Sequence, residues 1–416
     1  MSSESPETNQ RIKKTKTHVG IPRRRFLGHA AAATAFAIMK PRTALGAEAN
    51  SRIECGVIGL GGRGRMIATM VKEHGGYQIT SVADYFPDVV EHAGEAYSVA
   101  AERRFSGLLG YQKMLASGVD AVFLETPPYC FPEHTAAAAE AGCHIYIAKP
   151  LGCDVPGCLA IQEAARKTTE AKRVFLVDFQ TRTDPLFIEG VRRVHVGEIG
   201  KVCLLSSVYC DESFSDPPLT GTIESRLQHL IWVNDVNLGG GSLVNAGIHS
   251  IDIALWIAQA TPVSAMGCSR VARTDPHGDS GDVFSLTYEF ADGLLLNHRG
   301  EHLKDKYNII ACHALGQDGN LETDYSGQVR MDGLRAQFPG GQVVDLYRQG
   351  AIRNIDTFHK SIVNGVYDNP TVEPSVNATL ATVLGREAGR RNTKLTWNEI
   401  IQENTRLEVD TTGLTL

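Results

Sequence analysis

A cluster of glycines directly after an apolar segment is the pattern with the clearest chemical meaning in this chain. Residues 53–59 have the apolar character of a buried parallel strand, and a helical stretch begins near residue 66. Between them lie Gly59, Gly61, Gly62, Arg63 and Gly64. In such a turn the first glycine permits the tight bend, the second lets a pyrophosphate approach the main chain, and the third lets the helix pack closely. The pattern predicts a dinucleotide site whose phosphates face the free N–H groups of the helix.

An acidic residue follows the next apolar strand. Residues 78–83 form this strand, and Asp84 ends it twenty positions after the last glycine of the turn. A carboxylate here accepts hydrogen bonds from both ribose hydroxyls and repels a 2′-phosphate, so the sequence favours NAD over NADP. Arg63 and Arg65 leave NADP open, because a guanidinium can hold that phosphate. The alternative for Asp84 is a helix cap in the turn that leads to Pro87.

Apolar strands and helical stretches alternate through the rest of the first half. The strands fall at residues 121–125, 144–148 and 173–179, and the helices at residues 132–142 and 154–169. This alternation predicts an α/β fold with a parallel, doubly wound sheet, an NAD(P)-binding Rossmann domain over residues 50–180. Ligands of such sheets bind beyond the carboxyl ends of the strands, where Thr126, Pro127 and Lys149 fall.

The second half has a different pattern. Strands of alternating character fall at residues 201–210, 262–273, 282–290, 293–299 and 307–313. With few helices between them, they predict a largely antiparallel open sheet in an α+β domain over residues 181–416. Helices near residues 351–364 and 375–391 are expected to return and pack on the first domain.

Two polar side chains mark an otherwise apolar helix that begins near Ser242. Asn245 and His249 are four residues apart, so they share one face of a regular helix. A histidine ordinarily titrates near neutrality, and His249 is our candidate base for removing a hydroxyl proton during hydride transfer. The alternative is a packing histidine bonded to a main-chain carbonyl. Asp252 is expected to orient a neighbour rather than to react.

Three segments carry a resemblance to a known family. Residues 120–128 end a strand in Thr-Pro, residues 140–151 run from Ala-Gly-Cys-His into Ala-Lys-Pro, and residues 239–252 run from Gly-Gly-Gly to His-Ser-Ile-Asp. Together they resemble the Gfo/Idh/MocA (glucose-fructose oxidoreductase / inositol dehydrogenase) family over nearly all of residues 51–405. The resemblance implies an NAD(P)-dependent oxidoreductase acting on CH–OH groups.

The resemblance also implies roles for individual residues. It places Lys149 near the nicotinamide and the substrate hydroxyl, where burial beside His249 would lower the lysine pKa. It implies a substrate contact for Arg182. It further implies a homo-oligomer, a dimer or tetramer, formed through the free face of the second sheet.

The chain departs from the family pattern at three positions. Ala148 stands where the family usually has Glu, Asn245 where many dehydrogenases have Asp, and Phe131 where a His is frequent. Asn245 cannot take a proton, so we expect it to orient His249 as a neutral group and to leave a less basic imidazole. These departures keep open a non-catalytic protein that binds NAD or a sugar.

Polar groups surround an aromatic ring in the segment at residues 211–238, which contains Trp232. Such a combination suits a sugar or cyclitol, whose faces are partly apolar and partly hydroxylated. The alternative is a surface loop of ordinary polarity. The sequence therefore predicts hydride transfer between NAD and a hydroxyl or keto group of a small carbohydrate. The alternative function is an NAD-dependent glycoside hydrolase or lyase that oxidises its substrate transiently, with no net redox change.

The N-terminal residues have the order of a twin-arginine export signal. Arg23 and Arg24 precede an apolar run over residues 30–39 and small residues near 46–49. This run is too short to span a hydrocarbon core of ~30 Å, so no stable membrane anchor is expected. Residues 1–49 are predicted to be a signal peptide and leader that the twin-arginine machinery recognises, and the protein to be periplasmic or otherwise exported with a tightly bound cofactor. The alternative is a basic N-terminus with a chance alanine run.

Charge and cysteine usage exclude other classes of protein. Residues 1–47 carry nine Lys and Arg against two Glu, a charge of +7, so the total of −6 leaves −13 for the remainder. An acidic remainder offers no basic face to a phosphate backbone, which argues against nucleic acid as a partner. The nine cysteines include no Cys-x-x-Cys pair, and the histidines lack metal-ligand spacing. We predict no metal site and buried free thiols, as for Cys55 and Cys203 in their apolar runs.

Overall fold

The alternating segments of the first half form a six-stranded, wholly parallel sheet of order β3-β2-β1-β4-β5-β6. We describe it from a computed structural model, which covers residues 52–219, 222–335 and 337–416. The strands are β1 (Ile53–Ile58), β2 (Tyr77–Asp84), β3 (Arg104–Ser106), β4 (Ala121–Leu124), β5 (His144–Ala148) and β6 (Phe175–Asp178). The predicted leader, residues 1–49, lies outside the described residues.

Helices connect these strands on both faces of the sheet. They are α1 (Gly62–His74), α2 (Pro87–Ala96), α3 (Gly110–Ala116), α4 (Phe131–Glu140) and α5 (Val155–Glu170). Every residue of β4, β5 and β6 is buried, as their continuous apolar sequences predict. The doubly wound fold is therefore confirmed, and the carboxyl ends of all six strands meet at one edge.

The second sheet has nine strands in the order β14-β13-β12-β11-β7-β10-β9-β8-β15. They are β7 (Val202–Cys210), β8 (Ser264–Arg270), β9 (Val283–Glu289), β10 (Leu295–Glu301), β11 (Ile309–Gly316), β12 (Gly319–Asp324), β13 (Gln328–Gly333), β14 (Gln337–Gln342) and β15 (Leu395–Thr396). Only the pair of β7 and β10 is parallel, which confirms a largely antiparallel sheet. The three strands over residues 319–342 were not predicted from the sequence.

The remaining helices join the two sheets through one core. They are α6 (Pro185–His195), α7 (Val236–Gly239), α8 (Ile248–Ala258), α9 (Leu346–Asn364), α10 (Val372–Arg391) and α11 (Trp397–Glu403). Helix α8 packs on β7 and β11, whereas α9 returns to α1 and α10 to α5. In the first sheet, Phe358 of α9 lies against the rings of Tyr77, Phe123 and Tyr146. The predicted return of the late helices is confirmed.

One stretch of the described chain, Val236–Ala258, is long and apolar enough to cross a membrane by length and composition alone. Within this stretch, 89% of an apolar 18-residue window is buried inside the molecule, so packing in the core accounts for its apolar character.

All nine cysteines are free, as predicted. Cys55 is fully buried, but Cys203 is exposed, so its assignment as a buried thiol is wrong. The physical reason is its place at the start of β7, because the covered part of that strand begins at Leu205.

Candidate active site

The glycine turn after β1 is tight at its two ends and open in its middle. A Cβ atom on Gly59, whose φ is +89°, would lie 2.6 Å from the main chain at Glu125 and Thr126. A Cβ atom on Gly64 would lie 1.9 Å from the oxygen of Gly59. At Gly61 and Gly62 a Cβ atom would meet nothing within 4 Å. The turn therefore combines close helix packing with open space beside its main chain, which fits a pyrophosphate.

The start of helix α1 adds an electrostatic reason for an anion at this turn. Its N-cap residue, Gly61, supplies no side-chain hydrogen bond, and the first turn contains no acidic side chain. The first N–H groups of a helix have no partner within the helix and form the positive end of its dipole. The residues present therefore fit the phosphates of a dinucleotide.

Asp84 is fixed against the same turn. Its Oδ2 atom accepts a hydrogen bond from the Leu60 N–H at 2.6 Å, and its Oδ1 atom accepts one from the Phe86 N–H at 3.1 Å. Helix α2 begins at Pro87 without a side-chain cap, so Asp84 shapes the turn rather than capping the helix. The carboxylate thus lies at the end of β2, where a ribose is expected to bind in this fold.

Arg63 does not take the position that contact with a 2′-phosphate would require. Its guanidinium turns inward, with Nε 3.0 Å from Glu125 Oε2 and a second ion pair to Asp178. It also lies 5.1 Å from the centre of the Tyr347 ring. Because the Arg63 guanidinium is held by two buried carboxylates, the structure does not support a contact between Arg63 and a 2′-phosphate. This favours NAD over NADP as the nucleotide.

The carboxylates around Arg63 also flank Ala148. In the first sheet Ala148 pairs in register with Asp178 of β6, while Glu125 follows the last residue of β4 on the other side. Both carboxylate side chains are wholly buried. Burial raises the pKa of Glu125 to about 7, and the charge of Arg63 opposes that rise. The site therefore has carboxylates beside the position where the family usually has Glu.

Lys149 connects the first sheet to the second half of the chain. Its Nζ atom donates a hydrogen bond to the main-chain oxygen of Asn245 at 2.7 Å. Burial lowers the pKa of Lys149 to about 7, and the charge of Arg63 adds to this effect. The predicted direction of the shift is confirmed. A lysine with this pKa exists as both amine and ammonium near neutrality, so it can take and return a proton.

The helix that carries Asn245 is not regular at its start. Residues Leu243–Gly247 form a π-helical turn that leads into α8, which corrects the expectation of a regular helix from Ser242. Such turns are frequent at functional sites because they displace one residue from the normal hydrogen-bond ladder. The contribution of Asn245 is its main-chain oxygen, not the orientation of His249 that the sequence suggested.

His249 is buried among aromatic rings at the start of α8. Its imidazole lies parallel to the ring of Tyr209 at 6.3 Å and is tilted towards that of Tyr325 at 5.3 Å. Burial and the charges of Lys149 and Arg63 hold the pKa of His249 well below its usual range. The expectation of titration near neutrality is therefore wrong. His249 is neutral at physiological pH, and its Nδ1 atom has no hydrogen-bond partner in the described structure.

Two further buried polar groups near His249 lack partners. They are Gln180 Nε2 and Thr181 Oγ1, just after β6. The Gln180 Oε1 atom accepts a hydrogen bond from the Tyr325 hydroxyl at 3.3 Å, which ties this group to the ring beside His249. Buried polar atoms without partners are rare in folded proteins, and here they fit a hydroxylated ligand. Sequence reasoning missed Tyr209, Gln180 and Tyr325, although a position just after a parallel strand is a signal for Gln180.

Arg182 and Asp252 form a buried pair. The guanidinium donates to both carboxylate oxygens at 2.9 Å and lies 5.2 Å from the centre of the Trp256 ring. Asp252 therefore orients a neighbour, as predicted, and that neighbour is Arg182. The substrate contact of Arg182 stays a prediction.

Trp232 and Thr126, two further predicted site residues, have contacts of their own. Trp232 is half-buried in a short 3₁₀ turn, Ile231–Asn234, and packs against Gly239. Thr126 follows β4, and its hydroxyl lies 3.2 Å from Nδ1 of buried His134, which fixes the loop that continues into Pro127. The sugar-binding role of Trp232 stays a prediction.

The strand order, the glycine turn and the acidic end of β2 define a Rossmann-type dinucleotide-binding protein. Two family models match the chain: "Oxidoreductase family, NAD-binding Rossmann fold" over residues 53–176 and "GFO/IDH/MocA C-terminal domain" over residues 191–322. The chain belongs to the GFO/IDH/MocA oxidoreductase family, and its first sheet is that of an NAD-binding domain.

Individual relatives and structures agree with this family. The chain is 27% identical over 275 residues to scyllo-inositol 2-dehydrogenase (NAD(+)) of Bacillus subtilis. The aligned region covers 65% of this chain and 73% of the relative. It is 24% identical over 294 residues to 2,7-anhydro-N-acetylneuraminate hydratase of Mediterraneibacter gnavus. That aligned region covers 68% of this chain and 71% of the relative. The structure of levoglucosan dehydrogenase in complex with NADH and levoglucosan has the same fold, with a TM-score of 0.68, 17% identity and coverage of 83% of this chain and 99% of that one.

Proposed function

We propose that this protein transfers hydride between NAD and a CH–OH group of a sugar, cyclitol or related carbohydrate. The observation that carries the proposal is the buried Lys149 amine, held 2.7 Å from the Asn245 oxygen near neutral His249 and the dinucleotide-binding edge. Inositol and levoglucosan dehydrogenases among the similar proteins support a polyhydroxylated ring as the substrate class.

In the proposed oxidation, Lys149 and His249 have different roles. Bound NAD supplies the acceptor for the hydride that leaves the carbon of the alcohol. Lys149, as the free amine, takes the hydroxyl proton, so the carbon becomes a carbonyl and the lysine an ammonium. Neutral His249 forms a hydrogen bond with the reacting oxygen. The surrounding rings of Tyr209 and Tyr325 exclude water from the transfer.

A panel of inositols, aldoses and anhydrosugars, each mixed with NAD and the purified protein, tests this function. Formation of NADH with at least one of them is the expected result. The same panel with NADP is the matched comparison, and NAD is expected to be preferred. Stable nucleotide binding with no turnover on a broad panel would instead favour the non-catalytic binding protein.

The second candidate function is a redox-neutral reaction on a glycoside or anhydrosugar. The similarity to 2,7-anhydro-N-acetylneuraminate hydratase favours it, because the activity in that relative's name is not a net dehydrogenation. Transient oxidation of a ring hydroxyl would acidify the C–H bond next to the new carbonyl. Once the Lys149 ammonium has passed on the hydroxyl proton, its amine would take the C–H proton, the glycosidic or anhydro C–O bond at the next carbon would break, and the released oxygen would take a proton before the carbonyl is reduced again. Cleavage of a chromogenic glycoside with no net NADH would support this candidate.

We further propose that residues 1–49 direct export by the twin-arginine route with the cofactor already bound. The support is the sequence order of Arg23, Arg24, the apolar run and the small residues. Cell fractionation of the native host, compared with an Arg23→Lys/Arg24→Lys variant, tests the proposal. Wild-type protein should be found outside the cytoplasm and the variant inside it.

The outer face of the second sheet is the proposed interface of a homo-oligomer. Leu204, Leu295 and Leu315 pair in register across β7, β10 and β11, and Leu295 and Leu315 are about two-fifths exposed. An exposed apolar row on a sheet favours association. Measurement of the mass in solution for Leu295→Lys against wild type tests this assignment, and a smaller assembly is expected.

A further inference from the structure

We propose that residues 404–416, here called the strap, form an outer wall of the adenosine half of the dinucleotide site and slow release of the cofactor. This inference rests on the proposed function for the identity of the ligand. The strap follows α11 and runs along the edge where the strands of the first sheet end.

The first anchor of the strap is beside β5. The Leu407 N–H donates a hydrogen bond to Asp154 Oδ2 at 2.6 Å, and the Glu408 oxygen accepts one from Asn237 Nδ2 at 2.8 Å. Asp154 is the N-cap of α5, and its Oδ1 atom accepts from the Gly157 N–H at 2.8 Å. One carboxylate therefore fixes both the start of a helix and the start of the strap.

The second anchor is beside β2 and β3. The Thr415 oxygen accepts a hydrogen bond from the Leu108 N–H at 2.9 Å, and the Thr415 N–H donates to the Tyr85 hydroxyl at 3.2 Å. At Gly107 a Cβ atom would lie 2.7 Å from the oxygen of Leu416, so the main chains are in close contact. Tyr85 directly follows Asp84, the proposed ribose ligand.

The order of the strands shows what lies between these anchors. In the sequence β3-β2-β1-β4-β5, the glycine turn after β1 lies between the two anchored sides. The eight Cα–Cα steps from Leu407 to Thr415 can span at most about 29 Å, enough to cross this edge. Glu408 and Val409 line a cavity together with Asn237 and Leu238 of α7, and α7 contacts the 3₁₀ turn Pro128–Cys130 after β4. The strap therefore lies near the loop after β4 before it reaches β2.

The strap is held in a way that allows it to open. Most of its residues are exposed, and only Leu407, Val409 and Leu414 are half-buried. Segments held by a few hydrogen bonds and little apolar burial open at low free-energy cost. NAD can therefore reach the site when the second anchor is released, and it is retained when that anchor forms again.

The second anchor lies beside β2 and β3, at the adenosine end of the site, whereas Lys149 follows β5. Loss of the strap should therefore change retention of the cofactor without changing the chemical step. This separation distinguishes the strap from residues that act on the substrate.

The test compares the full chain with a variant that ends at Glu403, with Tyr85→Phe as a milder variant and Thr405→Ala as an exposed control in the strap. The rate of NADH release is measured by displacement with excess NAD, and the hydride step by single turnover. We expect release at least tenfold faster in the shortened variant, severalfold faster in Tyr85→Phe and unchanged in Thr405→Ala. The single-turnover rate should be the same in all four proteins.

Hydrogen exchange of the full chain provides a readout that does not depend on activity. Added NAD should slow exchange of the amides over residues 408–415. Unchanged release in both variants, or tighter nucleotide binding without the strap, would overturn the proposal while leaving the oxidoreductase function intact. A full chain that binds no pyridine nucleotide would overturn both.

Discussion

The Nζ atom of Lys149 lies 2.7 Å from the main-chain oxygen of Asn245. This hydrogen bond joins the end of β5 in the first sheet to the π-helical turn before α8. It places Lys149, whose pKa is about 7, beside neutral His249, which lies four residues after Asn245 in the chain. The position of the Lys149 amine, the proposed proton acceptor, therefore depends on both halves of the chain.

The pH dependence of oxidation should follow Lys149. Because the amine is the active form, kcat/KM is expected to rise through about pH 7 and to level off above it. Lys149→Met should lower kcat by about 10²–10⁴ and remove the inflection. Lys167→Met, an exposed lysine on α5, is the control. An unchanged pH profile in Lys149→Met would exclude this residue as the base.

Replacement of His249 should affect catalysis without affecting the nucleotide. His249→Ala removes the hydrogen bond to the reacting oxygen, and we expect kcat to fall by about 10²-fold or more. The affinity for NADH, measured by fluorescence titration, should stay within twofold of wild type. Normal turnover of His249→Ala on an identified substrate would disprove the role of this histidine.

Two glycines of the turn provide a matched pair. Gly61→Ala places a methyl group in open space at a main-chain conformation that alanine adopts, so the protein should fold normally. It should nevertheless bind NAD at least about tenfold more weakly, because the methyl group occupies the approach of the pyrophosphate. Gly64→Ala collides with the oxygen of Gly59 and should lose about 1–3 kcal/mol of unfolding free energy. Thermal unfolding and NAD titration of both variants distinguish the two effects.

Arg63 should be more important for stability than its place in a turn suggests. Arg63→Leu leaves the buried carboxylates of Glu125 and Asp178 without their cation, and should cost about 3–5 kcal/mol in denaturant unfolding. Arg65→Leu, at an exposed position, is the control and should be near neutral. Adding Asp178→Asn to Arg63→Leu should restore part of the loss; if it restores none, the charge argument is wrong.

The free energy of unfolding of Arg63→Leu should also depend on pH more strongly than that of wild type. Glu125 has a higher pKa in the folded protein, about 7, than the ordinary value of 4.5, so the folded state binds more protons between these values. Stability from this group is therefore greatest at low pH and falls as the pH rises towards 7. Removal of Arg63 raises the pKa of Glu125 further, so Arg63→Leu should lose more stability on that rise than wild type.

Asp84 should determine the preference between the two nucleotides. Asp84→Asn keeps an oxygen that can accept from the Leu60 N–H but removes the charge that repels a 2′-phosphate. We expect the KM for NAD to rise about tenfold or more, since hydrogen bonds to charged groups are worth about 1.5–3 kcal/mol. The ratio of kcat/KM for NADP to that for NAD should increase. A ratio equal to that of wild type would assign nucleotide preference elsewhere.

The sequence predicted the architecture well because strand and helix periodicities and the glycine turn are local signals. Five strands of the first sheet, the largely antiparallel second sheet and the returning helices were predicted from such patterns, whereas the three-residue edge strand β3 was not. Strands β12 to β14 were not predicted, because their glycines and polar residues leave little alternation between apolar and polar positions. Their strand conformation depends on pairing: β12 pairs with β11, β13 with β12 and β14 with β13.

The candidate site was predicted less completely, because its electrostatics depend on contacts between distant residues. Nothing near Arg63 in the sequence indicates that it reaches Asp178, 115 residues away. The low pKa of His249 follows from burial and from the charges of Lys149 and Arg63, which the sequence pattern does not contain. The π-helical turn has no periodic signature, so the contact of its Asn245 main-chain oxygen with Lys149 was not predicted.

The packing of α9 on the first sheet also has a consequence for biosynthesis. The Tyr77 hydroxyl of β2 donates to the Ile355 oxygen at 2.9 Å across 278 residues of chain, and Phe358 completes the aromatic cluster beneath it. While the ribosome is still adding the intervening residues, the nascent sheet lacks this covering and presents an apolar surface. The core of the first sheet can therefore be completed only after α9 has been synthesised.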